Sequence, residues 1–206
     1  MGTIANGNSE TLSVTATVLQ PVVGTEALYR VNVGGQELQA VDGTSLVWSE
    51  DTNTNPSPFR VSGQNGIFTK NNGAITVDGS VAPSAPTDLF RSQRFDGPSL
   101  PQMGWEFAVD SGAELEVRLF FAEIAPINTI SGPGERVFDI ALEGAVPAAF
   151  DDIDPFAIAG GSNTGFMLTQ NVIVNDGSLS LEFLNGAQNP SLQGIEIVQA
   201  LSLIHI

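Results

Sequence analysis

The 206-residue chain has no cysteine, one histidine, one tyrosine and two tryptophans. Without cysteine there are neither disulfides nor thiolate metal ligands, although this does not fix the compartment, since exported proteins also lack cysteine. Cations are scarce as well: 7 Lys and Arg stand against 23 Asp and Glu, a formal charge of −16. The basic residues are isolated, and the resulting field repels phosphate backbones and anionic lipid, which excludes nucleic acid as a partner. No apolar run approaches the roughly 18 residues that cross a bilayer, so no membrane insertion is expected. The N-terminal Met-Gly-Thr-Ile-Ala-Asn-Gly carries no basic region or apolar core, hence no signal peptide, and an exported parent would hold this chain as an interior piece. The lone histidine, His205, lies in LSLIHI, residues 201–206, which matches the translation of a transposase-derived sequencing adapter. We read those six residues as an artefact and give His205 no role.

What is present is apolar alternation. Leu115, Val117, Leu119 and Phe121 alternate with Glu114, Glu116 and Arg118, and Phe138, Ile140 and Leu142 repeat the pattern. A period of two puts one face in a core and the other in water. The intervening Ile130-Ser131-Gly132-Pro133-Gly134 is turn-forming, so two long strands joined by an exposed loop are expected at the centre of an antiparallel β-sandwich. Around them, Tyr29, Val31 and Val33 form one strand, Trp105, Phe107 and Val109 another, and Leu192 to Val198 the last. FMLTQNVIV and SLSLEFL flank Asn175-Asp176-Gly177, the composition of a hairpin. Thr52 to Ala85 is a long polar segment in which Phe59 and Phe68 serve as anchoring plugs. Phe150, Ile153 and Phe156 tuck a crossing segment onto the sandwich. Residues 1–21 hold one alternating run, Leu12 to Val18, read as the end of a truncated upstream immunoglobulin-like module or as an edge strand of the main domain, residues 22–200. Helical periodicity is nowhere sustained.

Seven motifs occur in order over residues 29–198: YRVNVGG; Asp42-Gly43 with Trp48 and Asp51; LFRSQRF; LFFAE; GERVFDIALEG; the aspartate-rich DDID; and Asn189-Pro190 followed by Gly194 and IEI. Together they resemble the malectin and malectin-like domains. The resemblance implies an all-β chain, an antiparallel β-sandwich of jelly-roll type that binds carbohydrate. It also implies a setting in secreted or surface bacterial proteins beside other domains of the same chain. The animal member recognises diglucosyl glycan ends. Its sugar-contacting tyrosine before the T-x-R-Y motif falls on Phe90, and its tyrosine–phenylalanine pair on Ala125 and Pro126. Its aspartate before the NP pair falls on Gln188, and a loop tyrosine on Phe68. The diglucose specificity is therefore not transferred.

A sugar is held by stacking its C–H face on a ring and pairing its hydroxyls with amides, carboxylates or guanidinium groups. Phe68, Phe90 and Phe95 supply rings, and Arg94, Gln188 and Asn189 supply polar groups, with core packing as the competing role for the phenylalanines. Glu123 with Asp139 or Asp154 would be the pair for a glycosidase, but Glu123 follows a buried strand and is better placed to tie backbone. Asp151, Asp152 and Asp154 offer oxygen ligands without the spacing of a known calcium loop. The expectation is a non-catalytic, extracellular or cell-surface module that binds oligosaccharide through loops at one end and needs no cofactor or metal. The alternative is a structural or adhesive spacer that keeps the fold and has lost the pocket.

Overall fold

A computed structural model of the chain describes residues 25–200, apart from 64, 98 and 126–128. The run expected in residues 1–21 and the terminal 201–206 lie outside the described residues. In chain order the strands are β1 (Thr25–Val33), β2 (Ser49–Asp51), β3 (Arg60–Ser62), β4 (Asn65–Thr69), β5 (Thr76–Val77), β6 (Ser92–Asp96) and β7 (Gly104–Ala108). They continue as β8 (Ala113–Phe121), β9 (Val137–Leu142), β10 (Thr164–Val174), β11 (Ser178–Ala187), β12 (Ser191–Leu192) and β13 (Gly194–Ala200). One short helix, α1 (Pro155–Ala159), has Asp154 as its N-cap, Pro155 in its first turn and Gly160 in the left-handed conformation at its end. With 46% of the chain in strands and 8% helical, the expected all-β character holds.

A six-stranded sheet, ordered β2-β1-β13-β8-β10-β5, faces a four-stranded sheet ordered β3-β7-β11-β9. The alternation read from the sequence decides which side chains meet between them: Val31, Val117, Leu119, Ile195 and Ile197 from one, Trp105, Phe107, Ile140, Leu181 and Phe183 from the other, all essentially inaccessible. Burying such side chains stabilises by about 1.5–3 kcal/mol each, which makes this core the main source of stability. Among the described residues, pairing is antiparallel except for two short parallel contacts, β1 with β2 and β10 with β5.

The pairing adds one fact to the sequence reading and corrects one expectation. The long central strands lie in opposite layers: β8 pairs with β10 and β13, and β9 with β11. Phe121 and Phe138 therefore meet across the core, ring centroids 6.2 Å apart. Likewise Asn175-Asp176-Gly177 does not close a hairpin, because β10 gives its hydrogen bonds to β8 while β11 sits between β7 and β9. The turn instead carries the chain from one layer to the other. It is braced by the neighbouring turn, where Gly112 N donates to Val174 O, Val109 N to Gly177 O and the Ser111 hydroxyl to Asn175 O.

The polar segment from Thr52 to Ala85 contains β3, β4 and β5, and Phe59 anchors it as expected, stacked on Phe107 at 4.9 Å and edge-on to Tyr29 at 4.9 Å. Phe150 and Ile153 are buried, and Phe156 is half-buried. A second, smaller core forms on the outer side of the six-stranded sheet, where Trp48, Leu89, Phe90 and Phe120 pack together.

Candidate functional site

A third sheet, ordered β12-β6-β4, closes one end of the sandwich. It passes close to the turn after β1, where Gly34 has φ 77° and any Cβ would lie 2.6 Å from the backbone of Gln93, so only glycine fits. Directly opposed residues of an antiparallel pair share a face. Phe68 opposes Gln93, and Gly66 and Ser191 oppose Phe95. Phe68, Gln93 and Phe95 thus project from one side of β4 and β6, and Ser92, Arg94 and Asp96 from the other. Both rings are half-buried, with Phe95 lying across Gly66. Between them the Gln93 amide is 2% exposed and accepts from Gln193 Nε2 at 3.1 Å. Gln193 is itself locked to the backbone of Ala122, accepting from its N–H at 3.0 Å and donating to its carbonyl at 2.6 Å.

The chain enters β12 through residues 188–190, alongside Phe95, and the carbonyl of Pro190 accepts from Asp96 N at 3.0 Å. Gln188 is exposed with φ 57°, and Asn189 is half-buried. Arg136 holds this segment in place: its Nη1 donates to the Asn189 carbonyl and its Nε to Glu123 Oε2 at 2.7 Å. The other oxygen of Glu123 accepts from Ala125 N at 2.9 Å. Glu123, 1% exposed, therefore ties three loops at this rim, and both its oxygens are engaged. Beneath the rim, burial raises the Asp96 carboxyl above the usual range, with hydrogen bonds from Met103 N and Gly97 N pulling the other way.

The six expected sugar-contacting residues divide. Phe95, Gln188 and Asn189 stand on or beside the rim, and Phe68, half-buried there, packs against the smaller core, the anchoring role expected of it. Phe90 is fully buried in a single 3₁₀ turn, 6.2 Å from Phe120 and pressed against Gly165, and offers no ring face to solvent. Arg94 is 1% exposed and forked onto Asp51, so its guanidinium is committed inside the protein. Sequence reasoning passed over Gln93 and Gln193, which only the pairing of β4 with β6 and the approach of Gln193 bring together.

The aspartates of DDID also separate. Asp154 caps α1 and accepts from Gly134 N at 2.5 Å, while Asp139 from β9 joins Asp151 and Asp152, with one carboxylate oxygen of each within 4.8 Å of the others. The bridge between Phe138 and Ile153 brings Asp139 there, a long-range pairing that spacing alone does not reveal.

The buried carboxylates at this end are spent on fastening loops: Glu123 holds Arg136 and Ala125 N, and Asp51 holds Arg94. Residues 27–199 match the Malectin domain, and the chain belongs to that family. Among curated proteins it is similar to three from Arabidopsis thaliana. Receptor-like protein 4 is 29% identical over 128 residues, covering 62% of this chain and 19% of the relative. The receptor-like protein kinase FERONIA is 28% identical over 160 residues, covering 73% and 17%. The probable receptor-like protein kinase At5g38990 is 29% identical over 180 residues, covering 82% and 18%. Among solved structures, the ANXUR2 extracellular domain from Arabidopsis thaliana superposes with a TM-score of 0.73 at 22% identity, covering 87% of this chain and 50% of that one. FER in complex with the plant peptide RALF23 and LLG2 superposes at 0.73 and 24%, covering 90% and 52%. The chain thus spans about a fifth of these curated relatives and about half of the solved chains. The ANXUR2 structure is an extracellular domain, and no helix among the described residues of this chain is long and apolar enough to cross a membrane. The bacterial source expected from the sequence finds no support among these plant relatives.

Proposed function

We propose that the chain is a non-catalytic carbohydrate-binding module of jelly-roll build, one domain of a larger extracellular protein, that takes an oligosaccharide at the rim formed by β4, β6 and residues 188–190. The observation that carries this is the pair of half-buried rings, Phe68 and Phe95, on one face of β4 and β6. Two rings about two residues apart on a sheet match the C–H faces of a short glycan, and Gln188 and Asn189 suit its hydroxyls. Both amides are neutral, so the site needs no counter-charge. Calorimetric titration with gluco-, manno-, galacto- and xylo-oligosaccharides tests it. Binding that weakens about tenfold in both Phe95→Ala and Gln188→Ala supports it. No heat with any of the sugars sinks it and favours the spacer.

A second reading draws on the structure in which FER is in complex with the peptide RALF23 and LLG2. A module of the same fold in a peptide-containing assembly supports a protein or peptide partner. Capture of an extracellular peptide by a chain that is inert to every sugar would select this reading.

A further inference from the structure

On one side the six-stranded sheet runs out at β10, whose far edge is covered only near its start. There β5 pairs with Thr164 and Gly165, and the Ser80 hydroxyl accepts from Met167 N at 2.9 Å. The N–H and C=O of one strand residue point to the same side, and the side alternates along the chain. Those of Thr169, Asn171 and Ile173 therefore follow Met167 outward, away from β8. Beyond Met167 no strand pairs with this edge among the described residues, and the group lying on it is the Gln170 amide, which donates to the Asn171 carbonyl at 2.8 Å. The side chains of Thr169, Asn171 and Ile173 are exposed on the outer face, Ile173 by 57%. By contrast β9, at the edge of the other sheet, is bridged by Ile153 and Ala145.

An open edge is a template for another chain, and proteins ordinarily blunt it with charge, proline or a bulge. β10 has none of these: TGFMLTQNVIV contains no Asp, Glu, Lys, Arg or Pro, and it pairs with β8 in unbroken register. The other long strands, β1, β8, β9, β11 and β13, all carry charge. The missing charge selects the occupant. A chain of −16 repels its own copies wherever carboxylates meet, and β10 is the long strand on which two copies join without setting like charges opposite each other. A basic partner finds no acid on this strand to pair with. Glu114 and Glu116 lie one strand further in, so across such a joint the two β8 strands are three spacings of about 4.8 Å apart, roughly 14 Å, which exceeds the Debye length of about 8 Å. The edge is also self-complementary. With a twofold axis at Asn171, two β10 strands run antiparallel, Asn171 meets its counterpart amide to amide, and Ile173 lies on Thr169 of the other copy.

We propose that β10 is a self-association edge, pairing with β10 of a second copy about a twofold axis at Asn171 to make one continuous sheet. It lies away from the rim and does not depend on what the rim binds. One strand pair is a smaller contact than the roughly 1,200–2,000 Å² of stable complexes, so the dimer is weak and forms at high concentration. The test is sedimentation equilibrium on the full chain from about 10 μM to about 1 mM. The mass rises toward that of a dimer, and rises further when NaCl goes from about 50 mM to about 500 mM, because salt screens the repulsion between two acidic bodies. Ile173→Lys puts a charge on the edge and Asn171→Pro removes an outward N–H, and each raises the dissociation constant about tenfold or more. Ile173→Lys alters an exposed side chain and keeps the fold, so it decides the matter if Asn171→Pro does not fold. Cross-linking reads the register, since the chain has no cysteine of its own. Opposed residues of a hydrogen-bonded pair have Cα atoms about 5.5 Å apart, within disulfide reach, so Asn171→Cys oxidises to a covalent dimer. Glu106→Cys, exposed on the other sheet, does not. A chain that stays monomeric throughout overturns the proposal, as do a dimer unmoved by Ile173→Lys, a dimer that salt dissolves, or equal cross-linking at the two positions.

Discussion

Arg94 and Asp51 meet as a buried fork, Nε to Oδ2 at 2.5 Å and Nη2 to Oδ1 at 2.9 Å, with both side chains almost inaccessible. The same carboxylate accepts from Gly34 N at 3.2 Å and Ser57 N at 2.9 Å, so one residue joins the turn after β1, the end of β2 and strand β6. Removing one partner of such a pair leaves an uncompensated charge, whereas the pair as a whole contributes modestly. Arg94→Met is therefore expected to destabilise by about 3–5 kcal/mol. In a double-mutant cycle with Asp51→Asn by denaturant unfolding, the combined loss is smaller than the sum of the two single losses.

Phe90 fills the smaller core, and Gly165 lets it do so, since a Cβ there would stand 2.6 Å from the ring. Phe90→Ala is expected to cost about 3–5 kcal/mol by leaving a cavity, and Gly165→Ala about 1–3 kcal/mol by overfilling the same space. Both are read as a fall in the denaturation midpoint. A Phe90→Ala protein of native stability that had lost only sugar binding would return this ring to the site.

Glu123 and Arg136 hold the rim together, not a reaction. Glu123→Gln keeps an acceptor for Ala125 N but loses the charge facing Arg136, and is expected to cost about 1–3 kcal/mol. Amide exchange should quicken at Ala125 and at residues 189–191 while the sandwich core stays protected. Hydrolysis of any glycoside by the wild-type chain that disappeared in this variant would contradict the non-catalytic reading.

Asp42 gives the acid limb of stability. Burial pushes its carboxyl up, but hydrogen bonds from Thr44 and Arg30 outweigh this and bring it from 3.8 down to about 2. A carboxyl depressed in the folded state contributes stability that is complete above the unfolded value of 3.8 and lost as pH falls through about 2. The gap in Tm between the wild type and Asp42→Asn should be constant from neutral pH to about 4 and close as pH approaches 2. Asp96, raised by its burial, runs the opposite way: its contribution is present at low pH and declines as pH rises through its folded value.

Alternation told correctly which side chains reach the core, because the pleat alone decides it: Trp105, Phe107, Val117 and Ile195 all point inward. It is silent about partners. Asn175-Asp176-Gly177 has the composition of a hairpin, yet β10 finds β8 and β11 finds β9, and no local signal distinguishes a strand that folds back from one that changes layer. The placement of the candidate residues was legible to the same degree. Gln188 lies where a turn near Asn189-Pro190 exposes it, whereas Phe90 sits in a single 3₁₀ turn without periodicity to reveal its burial. Arg94 is turned inward by a carboxylate 43 positions earlier in the chain, a relationship that exists only after folding.

Thr25 and Ala200 stand opposite each other at the open ends of β1 and β13. Tension applied through both flanks would load the hydrogen bonds of this antiparallel pair one after another, as a zipper, and not all together in shear. Within a longer polypeptide under pull, the unit would therefore yield first along that seam. Its two connections would part at low force, while β8, deep in the six-stranded sheet, is among the last strands to be reached.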